Sequence, residues 1–332
     1  MSKLFTYKSA ALLAVLSLTA AVRSNAQETS TTSGAVFVMT NSNTGIEILQ
    51  FVRNPNGSLF QVGETPTGGN GSGGTTDPLA SQNSLLLTSD SRYLLAVNAA
   101  SGTISSFAVF GAFLVPTGIE STGCAFPDAI AQFGKLAYVL MENGRLVRIT
   151  NATSFLTTEL SGGSSLTFSA DGKVLLVSER TTGLIDSFPV NADGTLGAAT
   201  LTSYPGIFDF TTSSTNGLLI TVGGPTISST SVADNAKLTP VDNIPIFSGA
   251  CWVVMTPKGF AYASTGGAGI INGYSLSKAG VLTPIGTGEA ASIPGSALLD
   301  VAVASGGGFL YSLNSDNGAI AAWTINQSRV NK

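Results

Sequence analysis

From about Gly34 onward, apolar residues fall in short runs broken by Gly, Asn, Asp and Ser, and no helical period stands out. The clearest run is Ser164–Leu196, SSLTFSADGKVLLVSERTTGLIDSFPVNADGTL. It predicts four strands: Ser165–Ser169, Val174–Ser178, Leu184–Val190 and one starting at Thr195. Val, Ile, Leu and Phe fill the strands, and Asp, Gly and Asn fill the turns. A four-stranded meander has two faces to cover and needs neighbours of its own kind.

The chain repeats the pattern. Related runs begin at Ser84, Asp128, Phe208, Cys251 and Leu298, the third strand of the Phe208 unit being the hardest to place. Turns aligned on Ser91, Gly134, Gly172, Gly217, Gly259 and Gly307 give spacings of 43, 38, 45, 42 and 48. A period of roughly 40–50 residues with four strands per unit is the signature of propeller blades. A first unit opens with Ala35–Asn41, Gly45–Arg53 and Ser58–Thr65, and the last holds Leu299–Ala304, Phe309–Asn314 and Ala319–Ile325. The expected fold is all-β: a seven-bladed β-propeller of four-stranded antiparallel blades over 34–327. Unit one lacks an inner strand and unit seven an outer one. The tail after Ile325 is too short to supply both. Loose closure, use of the Gln27–Ser33 segment, and a truncated chain all remain open.

Composition adds compartment and partner class. Charged residues make up 10% of the 332, which suits many buried strands. The first 26 residues have the order of a secretory signal: Lys3 and Lys8, an apolar run Ala10–Val22, then Ser24-Asn25-Ala26 before Gln27. The apolar run is shorter than the ~20 residues that span a bilayer, so the chain reads as secreted, with 27–33 a polar leader and no membrane attachment after cleavage. Loss of Lys3, Lys8 and Arg23 leaves twelve basic and nineteen acidic residues, a net charge of −7. That balance excludes nucleic acid as a partner, and nothing calls for a second copy, so a monomer is expected. Sequons at Asn56, Asn70, Asn151 and Asn326 are candidate glycosylation sites.

Thr67–Pro78 is Gly-rich but lacks the Lys-Ser/Thr ending of a phosphate loop, and it reads as a flexible connector. Cys124 and Cys251 fall in the third and sixth units, which are not adjacent around a ring. Free thiols are expected, because a disulfide needs Cα atoms within about 7 Å. Asp128, Asp209 and Asp300 each sit near the start of a first strand. They could ring the channel around a cation, but bonding to a neighbouring backbone amide is the commoner use. Trp252 and Trp323 read as core.

Three stretches carry a family resemblance: Ser169–Leu196, Gly249–Ser264 (GACWVVMTPKGFAYAS) and Leu299–Ile325 (LDVAVASGGGFLYSLNSDNGAIAAWTI). They resemble seven-bladed propellers of the lactonase family, which includes 6-phosphogluconolactonase-like and 3-carboxymuconate-cyclase-like proteins. The segment Gly34–Gly69 is similar to secreted members of the cyclase-like group. The resemblance implies a small lactone or organic acid as ligand, no cofactor and no metal. It also implies a Glu at the end of a second strand, an Arg sixteen residues before it, and a His in the channel. Glu179 matches the Glu; Gly163 stands where the Arg would be, and the chain has no His.

Opening or closing a lactone needs a proton donor or acceptor and a cation for the substrate's acidic group. Glu179 is the candidate acid/base and Arg180 the candidate anion anchor. By repeat equivalence Glu142, Asn98 and Asn314 share their mouth of the channel as candidate ligand-binding residues, although Asn98 and Asn314 also suit turns. Pro127 and Cys251, entering first strands, should line the same mouth. The rival reading is a non-catalytic extracellular binding or surface glycoprotein on a degenerate lactonase scaffold.

Overall fold

The computed structural model describes residues 16–18, 33–74, 79, 81–142, 144–149, 154–156, 162–246, 249–326 and 329–331. The expected charged region, cleavage site and Asn151 sequon lie outside these residues. Seven four-stranded antiparallel sheets form the molecule, each a simple meander. Blade four shows the plan: Gly163–Phe168, Val174–Glu179, Leu184–Pro189 and Thr200–Ser203. Its fourth strand starts five residues after the expected Thr195, because Val190 and Leu196 first pair as an isolated bridge.

The six aligned turn positions have one conformation. Ser91, Gly134, Gly172, Gly217, Gly259 and Gly307 are all left-handed, with φ between 57° and 82°. Glycine reaches that region without a Cβ penalty, which is why the repeat is legible through it. Ser91 is the one residue of the six that bears the penalty.

Blades pack face to face through six apolar clusters. Leu140, Phe168, Val177 and Phe188 join blades three and four, for example, and Trp252, Leu299 and Trp323 join six and seven. Both Trp side chains are core, as expected. The difficult third strand of blade five is Thr226–Val232, TISSTSV. Its alternation is hidden because buried hydroxyls replace apolar groups. Ser229 Oγ donates to the Gly280 carbonyl of blade six, and Asn243 Nδ2 donates to Ser228 Oγ at 2.7 Å.

Ring closure corrects the expectation of two incomplete blades. Leu16–Leu18 pairs with Ala35–Phe37 at the inner position of blade one. Arg329–Asn331 pairs with Thr324–Asn326 as the fourth strand of blade seven, so the short tail supplies one strand. Blades one and seven then lock side by side. Tyr311 Oη donates to the Gly57 carbonyl at 2.9 Å, and the buried Arg53 guanidinium lies 5.1 Å from the Phe309 ring centre.

Candidate functional site

Blades three, four and seven turn back at the mouth in the same way. The residue after strand two donates its amide to the carbonyl just before strand one: Glu142 to Phe126, Arg180 to Gly162 and Ser315 to Ala297, all at 3.0 Å. Strand register adds that Pro127 faces Met141 and Gly163 faces Glu179. Glu142 is therefore the counterpart of Arg180, and Met141 that of Glu179, as the alignment of the Gly134 and Gly172 turns also places them. Opposite charges thus stand at matching places on neighbouring blades.

Arg180 is exposed, and its guanidinium lies 4.9 Å from the Phe208 ring centre. Phe208 in turn meets Trp252 edge-on, with ring centres 5.5 Å apart. Among the described residues Arg180 makes no ion pair. These side chains border a cleft of about 490 Å³ across blades four to seven, completed by Cys251, Gly266, Gly267, Leu299 and Asp316 among others. One cation over an aromatic ring beside an apolar wall suits a small anion with a hydrocarbon part.

Of the five residues chosen from sequence, Arg180 alone borders this cleft. Glu179 ends its strand with 4% of its surface exposed. Its Oε2 accepts a hydrogen bond from the exposed Thr182 hydroxyl. Asn98 is fully buried in a turn network. It accepts from Thr67 Oγ1 at 2.6 Å and donates to Thr103 Oγ1 at 2.9 Å and Ser105 Oγ at 2.8 Å. Asn314 Oδ1 accepts the Asp316 amide at 3.2 Å, so it sets the turn that brings Asp316 to the cleft. Glu142 is exposed on blade three, close enough to Asp128 to help raise its pKa.

Gly163 has a steric reason. A Cβ there would lie 2.8 Å from the side chain of Leu140, which is wholly buried, so a larger residue must displace core. Cys124 and Cys251 form no disulfide and are half-buried. The Gly-rich segment is pinned rather than loose through residue 74. Asn41 Nδ2 donates to Ser72 Oγ and to the Gly73 carbonyl, and its Oδ1 accepts the Ser72 amide; residues 75–78 lie outside the described part.

The inner-strand carboxylates serve the backbone where they are bonded. Asp209 accepts from Ser165 Oγ at 2.5 Å in blade four and from the Val253 amide at 3.1 Å in blade six. Burial pushes its pKa up to about 7 against those bonds. Asp128 is raised well above the ordinary range, by burial first and Glu142 second, with backbone bonds and Arg180 opposing. Gln82, leading into blade two, donates to the Val253 carbonyl of blade six at 3.4 Å. Those blades are not neighbours, so this side chain crosses the axis. Among the described residues no three His, Cys, Asp or Glu side chains group as a metal site.

Sequence reasoning missed Phe208 as the cleft's floor and Asp186 beside Glu179. Phe208 gives no local signal, since it acts only across blades. Asp186 had one: an acid inside a mostly apolar third strand.

No family model matches the chain, and no curated protein matches it in sequence. Solved structures do. The chain is similar to the periplasmic gluconolactonase of Pseudomonas aeruginosa, with TM-score 0.70 and 15% identity over 90% of this chain and 94% of that one. A provisionally assigned 6-phosphogluconolactonase of Bacteroides fragilis gives 0.67 and 17%, over 92% and 95%. A catalytically inactive variant of virginiamycin B lyase from Staphylococcus aureus, with quinupristin, gives 0.61 and 16%, over 98% and 99%. Likeness at such identities establishes a shared fold, a seven-bladed propeller.

Proposed function

We propose that this chain is a secreted propeller that binds a small organic anion, a hydroxy acid or its lactone, in the cleft at the channel mouth. The observation that carries the reading is Arg180: a guanidinium stacked on Phe208, with no carboxylate paired to it among the described residues, beside an apolar wall. The guanidinium fork matches a carboxylate or phosphate, and the aromatic and aliphatic wall covers the ligand's carbon skeleton. Two of the similar folds carry lactonase names, and one of those is named as periplasmic, in keeping with a leader on this chain.

A second reading, turnover of the bound lactone, rests on Glu179. It directly precedes Arg180, and the exposed Thr182 hydroxyl bonded to it links a buried carboxyl to the mouth. The test is calorimetric titration of the purified chain with gluconate, 6-phosphogluconate and muconate derivatives, run beside a turnover assay on the corresponding lactones. Binding that weakens with added salt supports the first reading, and binding of none of them overturns it. Turnover that falls about 10²–10⁴-fold in Glu179→Gln supports the second. Turnover unchanged by that substitution removes Glu179 from the chemistry.

A further inference from the structure

Glu179 and Asp186 stand on adjacent strands of blade four. The register sets Val177 opposite Asp186 and Glu179 opposite Leu184. All four side chains therefore share one face, with Glu179 and Asp186 as diagonal neighbours within reach of each other. It is the face that packs on blade three, because Val177, two residues before Glu179, and Phe188, two after Asp186, join that core. Asp186 is 2% exposed, and its Oδ1 has no hydrogen-bond donor among the described residues.

Two ionised carboxylates so close and so dry repel each other and lose their hydration. One proton between them removes both costs, since a neutral carboxyl donates to its ionised partner. The Thr182 hydroxyl already donates to Glu179, which favours charge on Glu179 and the proton on Asp186.

We propose that Asp186 and Glu179 hold one proton between them, with Asp186 as the positioning residue that keeps Glu179 ready to exchange a proton with the mouth through Thr182. At rest the pair carries one negative charge. A proton arriving at Thr182 Oγ releases the Thr182 hydroxyl proton to Glu179 and leaves the pair neutral; the reverse passage restores it. Burial first, then Glu179, raises the Asp186 pKa to about 7. Blade three brings Tyr138, Glu142, Arg145 and Arg148 on its neighbouring strands and turn, and Arg180 follows Glu179. None of these contributes to the Asp186 shift. The proton sharing stands on blade four alone, while its use in turnover rests on the ligand reading above.

The test is a carboxyl-carbon NMR titration of the full chain, labelled at Asp Cγ and Glu Cδ, without any ligand. One Glu and one Asp signal should move together near pH 7 in the wild type. Asp209 titrates in the same range but has no Glu partner, so it moves alone. Asp186→Asn should remove the Asp signal of the pair and abolish the movement of the Glu signal near pH 7, as its amide donates to a Glu179 carboxylate. Glu179→Gln should likewise bring the Asp186 midpoint down. A wild type with no paired movement between pH 6 and 8 overturns the proposal even where a variant fails to fold. So does a Glu signal that still moves near pH 7 in Asp186→Asn. Paired titration without ligand binding would remove only the cleft reading; binding without paired titration would remove only this one.

Discussion

Asp209 makes a stability prediction that can be worked through. Its carboxyl is wholly buried and bonded to blades four and six, with a pKa of about 7 in the fold against an ordinary 3.8. Between those values the folded chain holds a proton that the unfolded chain has lost, so stability is fully present at low pH and falls as pH rises towards 7. The slope is about 1.4 kcal/mol per pH unit, and from pH 5 to pH 8 the loss from this one group is about 2.5 kcal/mol. In Asp209→Asn the amide oxygen still accepts from the Val253 N–H, and the amide nitrogen donates to Ser165 Oγ. The bonds survive and the titration disappears. Equilibrium urea unfolding of both proteins at pH 5, 6, 7 and 8 should show a fall shallower by about 2.5 kcal/mol in the variant. Asp186, raised to about 7, adds a fall of the same sign that both proteins share. Equal falls in the two proteins would refute the claim that Asp209 is neutral in the fold.

Two further outcomes are expected. Ser91→Gly should raise stability by about 0.5–1 kcal/mol, because relief of a left-handed Ser, about 1–2 kcal/mol, exceeds the added freedom of Gly in the unfolded chain; an unchanged or lower urea midpoint contradicts this. Secreted protein should begin at Gln27 by N-terminal sequencing, and intact Met1 in a soluble pool contradicts it; since cleavage removes Leu16–Leu18, the mature blade one would then need another inner strand or run with three.

The blades were legible because six of the seven carry a left-handed residue in the first turn, and glycine marks five of those aligned positions. Strand four of blade four and strand three of blade five were less so: one is delayed by a bridge, the other is polar inside. Ring closure was hidden because Leu16–Leu18 belongs to a run with the composition of a secretion signal. At the site, Glu179 and Arg180 could be found by their strand ending. Their surroundings could not, since Phe208 meets Arg180 and Trp252 meets Phe208 only once three blades stand side by side.

Anion capture by Arg180 is tested most directly by the affinity of the purified chain for 6-phosphogluconate, measured by calorimetry in the wild type, Arg180→Ala and Arg180→Lys. Hydrogen bonds to charged groups contribute about 1.5–3 kcal/mol, so Arg180→Ala should weaken binding about 10–150-fold. Arg180→Lys should recover part of the loss, keeping the charge without the fork that stacks on Phe208. Wild-type affinity in Arg180→Ala would contradict the account.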